Sequence, residues 1–338
     1  MRQIDQRIII VSRKTRLDDL TAKFATKSQA KFYVARARVN QAVARAPAAA
    51  PPQNLQLLEK AAASEVAQIE QEGNDYHEII SQLRRQLDFD IPVQSVDRSL
   101  VPNLVFGPRD IVVAVGQDGL VANVAKYALG LPIIGVNPNP ALYDGILLPF
   151  QWQQARAAVQ RTLEGRAKTR SVTLAEAKLN NGQRLLAFND LFIGARSHTS
   201  ARYRVEVHNH SENQSSSGLL ISTGAGSTGW LSSLLNMSAG LSSLTPSPST
   251  PPARPTLHLR WEDKKLIYFV REPFISKTSS AHITAGTLAP NDQLIIESLM
   301  GPEGTIFSDG VESDSLNFSE GAIATISIAH EQAKLVIP

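Results

Sequence analysis

The chain has 338 residues, no cysteine, 43% apolar and 19% charged residues, and a net charge of +3. That length suggests about two domains and is ample for a buried core. The composition excludes a disulfide framework, a thiolate metal site, a cysteine nucleophile and wholesale disorder.

The charge is uneven. Residues 1–45 hold eleven Lys/Arg against three Asp/Glu, or +8, which leaves −5 for the rest. Such a segment is either a solvated helix face or a surface for phosphates, an acidic partner or a membrane. No apolar run reaches the roughly 18 residues of a membrane span. Ile8–Val11, followed by Arg13, Lys14 and Arg16, is too short for the apolar region of a signal peptide. A cytoplasmic protein is therefore expected.

Ile8–Val11 predicts a strand. Helical sequence follows from about Leu17, breaks at the Ala/Pro stretch Ala46–Pro52, and resumes from about Leu55 to Leu87. The unbroken apolar run Ile111–Val115 reads as a strand buried on both faces. A helix (Leu120–Leu129) and a strand (Ile133–Val136) complete a βαβ unit, which implies a parallel sheet covered by helices. Gln151–Leu163 is one more helix, stopped at Gly165. Beyond it, short strands recur between turns: Arg184–Phe188, Tyr203–His208, Leu219–Ser222, Leu257–Trp261, Leu266–Val270, Gln293–Ser298 and Ala324–Ile328. The expected architecture is an α/β domain with a parallel sheet over 1–165 and a β-rich, sandwich-like domain over 166–338. Ser242–Pro255 is proline-rich and reads as a surface loop.

Two glycine-bearing segments point to phosphate chemistry. In Gly116-Gln117-Asp118-Gly119 a buried strand ends and a helix begins. Glycines there let backbone amides approach a phosphate, and a helix N-terminus favours anions. The carboxylate of Asp118 either caps the helix, or meets a metal–phosphate complex or an attacking hydroxyl. Gly224-Ala225-Gly226-Ser227-Thr228-Gly229 matches the G-x-G-x-x-G spacing after a strand. The acid expected about twenty residues on is missing, which argues against a Rossmann dehydrogenase. What remains is a nucleotide-binding loop or a plain turn. There is no P-loop motif. His208-Asn209-His210 reads as an exposed hairpin tip, Ser308-Asp309-Gly310 as a turn, and Asn189-Asp190 as either a turn or a ligand-facing pair.

Taken together and in this order, these segments resemble the NAD kinase family. The strand–GQDG–helix element resembles the GGDG motif that NAD kinases share with diacylglycerol and sphingosine kinases. Asn189-Asp190 resembles the family's Asn-Glu pair, Ser222–Thr228 (STGAGST) its acceptor loop, and Asp309-Gly310 its late Asp-Gly. Lys14-Thr15-Arg16, Ile134–Pro140 (IGVNPNP), Ser216–Gly226 (SSGLLISTGAG), Arg271–Pro273 (REP) and Asn317–Ala324 (NFSEGAIA) look most like the mitochondrial-type branch.

The resemblance implies two domains with a cleft between them. It also implies transfer of a phosphoryl group from ATP, with Mg²⁺ or another divalent cation, to the 2′-hydroxyl of the adenosine ribose of NAD, giving NADP. Asp118 would orient or deprotonate that hydroxyl. Gly116, Gln117, Gly119, Lys14 and Arg16 would meet the donor phosphates. Asn189, Asp190, Thr223, Gly224, Gly226, Ser227, Thr228 and Asp309 would bind NAD. No residue is assigned as a dedicated metal ligand. The implied partners are NAD and ATP, with no nucleic acid and no membrane, in a homo-oligomer. The chain departs from the family at Gln117, where the family has Gly, and at Asp190, one methylene shorter than Glu. Two alternatives stand beside this reading: a kinase of another alcohol (a lipid or a sugar), and a nucleotide-binding sensor without catalysis.

Overall fold

A computed structural model of the chain describes residues 6–24, 26–45, 53–242 and 259–338. The Ala/Pro stretch at 46–52 and all but the first residue of the proline-rich segment 242–255 lie outside the described residues.

Six helices are used below: α1 (Arg16–Lys23), α2 (Lys27–Arg45), α3 (Gln53–Gln86), α4 (Asp118–Ala125), α5 (Ala155–Leu163) and α6 (Trp230–Ser242). The larger sheet contains a parallel run in the order Val93–Asp97, Ile8–Ser12, Ile111–Val115, Pro132–Asn137 and the end of Ile323–Ile337. Alternate side chains of these strands enter different cores. Ile9, Val11, Val112, Ala114 and Ile133 pack with Leu120, Val121 and Val124 of α4. Ile8, Ile10, Ile111, Val113 and Val115 pack with Leu83 of α3 and Val159 of α5. Both faces are covered, so the strands read as unbroken apolar runs rather than alternating ones.

The long strand Ile323–Ile337 joins the two halves of the chain. It runs antiparallel to Lys168–Leu179 along its length, while Leu335 pairs with Ile133 in the parallel part. Beyond it, Leu294–Ser298, Ala201–Val207 and His210–Ser216 extend the sheet in antiparallel fashion. A second, antiparallel sheet has the order Ala285–Leu288, Leu266–Val270, Leu219–Ser222, Asp190–Ala195, Gly304–Ser308, Val311–Asn317. Its Leu191, Ile193, Leu219, Ile221 and Ile306 pack on Tyr203, Val205, Ile296 and Ile326 of the first sheet. The fold is thus an α/β layer with a parallel sheet, continued into a β-sandwich.

Several expected elements change. The helix expected at Gln151–Leu163 begins at Ala155, after a short strand at Phe150–Gln151 and a 3-10 turn at Trp152–Gln154. Asp118, not Leu120, is the first residue of α4, which ends at Ala125. The expected strand at Leu257–Trp261 lies partly outside the described residues, and its described part, 259–261, is coil and turn. There the Asp263 carboxylate takes both the backbone amide and the guanidinium of Arg260, which closes a turn instead of a ladder. His208 and Asn209, both at positive φ, form the tip of a two-residue hairpin.

Candidate active site

The strand Ile111–Val115 ends at Gly116, whose amide donates to Val136 O at 3.2 Å. Gln117 is the extended N-cap residue and makes no side-chain capping bond. Asp118 therefore opens the helix, where free amides and the helix dipole favour its negative charge. Its Oδ1 accepts from Leu147 N at 2.7 Å, which leaves Oδ2 without a hydrogen bond from the described residues. A Cβ at Gly119 would meet nothing within 4 Å, so this glycine faces open space. At Gly116 a Cβ would sit 3.1 Å from Leu120.

A cavity of about 1000 Å³ opens beside this turn, lined by Arg13, Thr15, Arg16, Gln117, Asn139 and Tyr143 among others. Its far wall is α3, with Glu72 and Asp75. Of the basic residues proposed for phosphate, Arg16 lines this cavity but is paired with Glu65 at 3.8 Å, and Lys14 is exposed outside the lining. The residue that motif reading passed over is Arg13. Its guanidinium lies 5.4 Å from the Tyr76 ring and 6.0 Å from that of Tyr143, and it donates to Tyr143 Oη at 2.9 Å. Its Nε is buried without a hydrogen-bond partner. One signal for it was available: it directly follows the strand Ile8–Ser12, and ligands of open α/β sheets gather at the carboxyl ends of strands.

The second group of residues lies at the edge of the sandwich. The Asp309 carboxylate accepts from the amides of Phe188 (3.0 Å), Asn189 (2.6 Å) and Asp190 (3.3 Å). Thr223 donates its amide to Asn189 O and its hydroxyl to Phe188 O, at 2.9 and 2.6 Å. Gly226 fits against the same backbone, where a Cβ would lie 2.3 Å from Asn189 O. Gly224 packs on Arg260 O and accepts from Ser227 Oγ at 2.7 Å, while Thr228 is exposed. So Asn189, Asp190, Thr223, Gly224, Gly226, Ser227 and Asp309 form one bonded assembly, with Thr228 at its rim. Asp118 makes no hydrogen bond or ion pair with this assembly among the described residues. The two groups meet through one apolar cluster, in which Leu120 and Val121 pack with Phe188 and Ala225.

Asp190 Oδ1 is buried without a hydrogen-bond partner. Burial, and next to it the charge of Asp309, push the Asp190 carboxyl up to about 7, against a pull downward from the Ser222 hydroxyl. The native state thus holds this proton where the unfolded chain releases it near 3.8. Stability should fall as pH rises from about 4 to 7, by on the order of 4 kcal/mol, and then level off. Urea midpoints at pH 5 and 7.5 for the wild type and Asp190→Asn check this. Equal pH slopes in the two proteins would dismiss it.

A second cavity of about 490 Å³ adjoins the end of the 223–228 loop at Trp230. Trp230 stacks on Phe192 at 5.7 Å, Phe307 lies 4.8 Å from Phe192, and Arg271 sits 5.3 Å over Trp230. Phe192 is two residues from Asp190 along one strand, hence on the same sheet face. Motif reading missed these aromatics because each is an ordinary core-type residue in the sequence.

No family model matches the sequence, and no curated protein is similar to it in sequence. Solved structures do match. Yeast NADH kinase complexed with NADH superposes with a TM-score of 0.53 at 14% identity, over 98% of this chain and 84% of that one. An NAD kinase from Archaeoglobus fulgidus in complex with ATP does so at 0.50 and 16%, over 76% and 88%. A two-part α/β and sandwich fold with a glycine-flanked carboxylate at a helix start is the class these observations define. Within that class, the fold is that of the NAD kinases, in agreement with the family indicated by the motifs.

Proposed function

We propose that the chain is an NAD kinase-like phosphotransferase that moves the γ-phosphoryl group of ATP to the adenosine 2′-hydroxyl of NAD, giving NADP. The observation that carries this reading is the pairing of Asp118, at a helix start beside the large cavity, with the bonded Asn189–Asp190–Thr223–Asp309 assembly across a shared cluster. The division into 1–165 and 166–338 puts one group on each part. The acceptor's adenosine sits against Asn189, Asp190 and the 223–228 loop, and the planar walls of Trp230 and Phe192 suit the remaining ring of a dinucleotide.

In the reaction the 2′-oxygen bonds to the γ-phosphorus, the bond to the β–γ bridging oxygen breaks, and ADP leaves. Asp118 takes the hydroxyl proton through Oδ2, with Leu147 N fixing Oδ1. Arg13, the α4 amides and Gly119 receive the phosphates, with Arg16 and Lys14 farther out. The acids of α3 disfavour phosphate at the far wall, which suits the sugar and base of a nucleotide.

Among the described residues no group of three or more His, Asp or Glu side chains is placed to hold a metal ion. Mg²⁺ commonly binds through substrate phosphates, and the phosphates of ATP would hold it here, which leaves Oδ2 of Asp118 to the hydroxyl. When bound with ATP, the cation supplies neutralisation of phosphate charge. No helix of the described residues is long and apolar enough to cross a membrane. A cysteine-free chain suits the cytoplasm, and we place the enzyme there as a homo-oligomer.

Purified protein with ATP, Mg²⁺ and NAD should form NADP, and a parallel series with NADH sets the redox preference. Binding of NAD in calorimetry without product would assign a sensor instead. Phosphorylation of another alcohol in place of NAD would assign a different acceptor. Gly119→Ala tests the donor side cleanly. Its Cβ enters open space, so the helix should gain about 0.5–1 kcal/mol. Its kcat/KM for ATP should nevertheless fall about tenfold, a loss of ~1.4 kcal/mol, because phosphates occupy that space. Unchanged ATP kinetics would move the donor elsewhere.

A further inference from the structure

Lys126 stands directly after α4, the helix that opens with Asp118, and is only 3% exposed. A buried ammonium is tolerated only when its protons are matched. Nζ donates to Ser308 Oγ at 2.7 Å and pairs with Asp314 Oδ2 at 2.7 Å, with the Tyr127 ring 5.3 Å away. The Tyr127 hydroxyl donates to the same Asp314 oxygen, and the other Asp314 oxygen is buried without a hydrogen bond. An ion pair of this kind is often no more stabilising than apolar residues of similar volume, so its place in the fold calls for another account.

That place is the seam between the two groups of site residues. Ser308 leads into Asp309, which is held at φ 53°. Asp309 donates its amide to Asp190 O at 2.9 Å and accepts three amides from 188–190. The eight residues of α4 make an arm about 12 Å long, from Asp118 at one end to the Lys126 anchor at the other.

We propose that Lys126 is a positioning residue for the acceptor side: its ammonium holds the Ser308–Asp309 turn so that the Asp309 carboxylate grips the backbone of Asn189 and Asp190. The helix that carries Asp118 and the donor turn thereby also sets the pair that meets the dinucleotide. The naming of NAD as that dinucleotide rests on the proposed function; the link itself does not. Asp309 faces Lys126 from the end of α4, Asp190 from the adjoining strand, Tyr127 beside Lys126, and the three amides of 188–190. Burial pushes the Asp309 carboxyl up, while the amides and Lys126 pull it down. Loss of the ammonium therefore lets Asp309 protonate at higher pH, and a protonated carboxyl grips amides poorly.

The test compares wild type, Lys126→Met and Lys126→Arg by calorimetric titration with NAD from pH 5 to 8, alongside KM for ATP. The expected result for Lys126→Met is NAD binding weakened at least about tenfold, as befits a buried charge stripped of its partner. Its acid limb should move up by about one pH unit or more, with the KM for ATP within about twofold of wild type, since the donor turn is untouched. Lys126→Arg should recover part of the affinity. Should the Met variant fail to fold, the double variant Lys126→Met/Asp314→Asn removes both charges of the pair, and the same two measurements decide. A folded variant that keeps the wild-type NAD affinity and acid limb overturns the proposal, as does an equal loss toward ATP. If the wild type binds no NAD, the proposed function fails, and carboxyl ¹³C titration of the ligand-free proteins judges the link alone. An Asp309 titration raised in Lys126→Met supports it, and an unmoved one overturns it.

Discussion

Asp118→Asn should lower kcat by about 10²-fold or more, the scale of a lost general base, while leaving the melting temperature within a degree or two. The asparagine carbonyl can still accept from Leu147 N, the 2.7 Å bond that fixes the side chain in the native protein. The first turn of α4 loses a favourable charge worth only about 0.3–1 kcal/mol. What disappears is the free carboxylate oxygen that, in the proposed function, would receive the proton of the attacking hydroxyl. The loss should fall on kcat and on kcat/KM for both substrates together, the signature of an interaction made in the transition state. An Asn variant of near-normal rate would take Asp118 out of the chemistry and leave it the helix-start carboxylate that its position also allows.

Gly226→Ala should damage both the stability and the ligand binding of the 223–228 loop. The added Cβ would stand 2.3 Å from Asn189 O and 2.7 Å from Asp190 Oδ1. The first of these is backbone held by neighbouring hydrogen bonds, since Asn189 O already accepts from Thr223 N. The loop must therefore move, at a cost of about 1–3 kcal/mol typical of overpacking a close contact. Because the same shift displaces Asn189 and Asp190, NAD affinity should fall by at least about tenfold, or ~1.4 kcal/mol, with ATP binding spared. Chemical denaturation and calorimetry on one preparation separate the two effects. Wild-type NAD binding in a folded Gly226→Ala protein would detach the loop from the acceptor. The contrast with Gly119, where a Cβ meets nothing, shows that two glycines of similar motif standing serve different ends. One admits a neighbouring strand, the other an open space.

Strongly apolar elements are legible in the sequence. Ile111–Val115, Leu219–Ser222 and Leu266–Val270 fall where the sequence places them, because each is a central strand that must bury side chains. His210–Ser216 and Val311–Asn317 were not legible. Each pairs with a strand on one side only and carries mostly polar residues, and an edge strand has no second ladder and little apolar surface to declare it. The sequence predicts the last strand at Ala324–Ile328, and it runs from Ile323 to Ile337. A register shift between Ile328 and Gln332 breaks the alternation that would have shown its full length.

The sequence by itself determined the motif-bearing turns, the βαβ start, the β-rich second half and the absence of thiol chemistry, because these depend on local spacing and composition. Only the tertiary structure decided which turns share a site. Asn189, the Thr223–Gly226 loop and Asp309 are far apart in the chain, and hydrogen bonds between neighbouring strands and their turns gather them. Arg13 and Lys126 gain their meaning the same way. A basic residue after a strand, or at the end of a helix, looks like any solvated charge until folding buries its nitrogen beside tyrosines or carboxylates. The +8 of the first segment predicts a charged surface; of the two guanidiniums that line the cavity, burial of its Nε singles out Arg13.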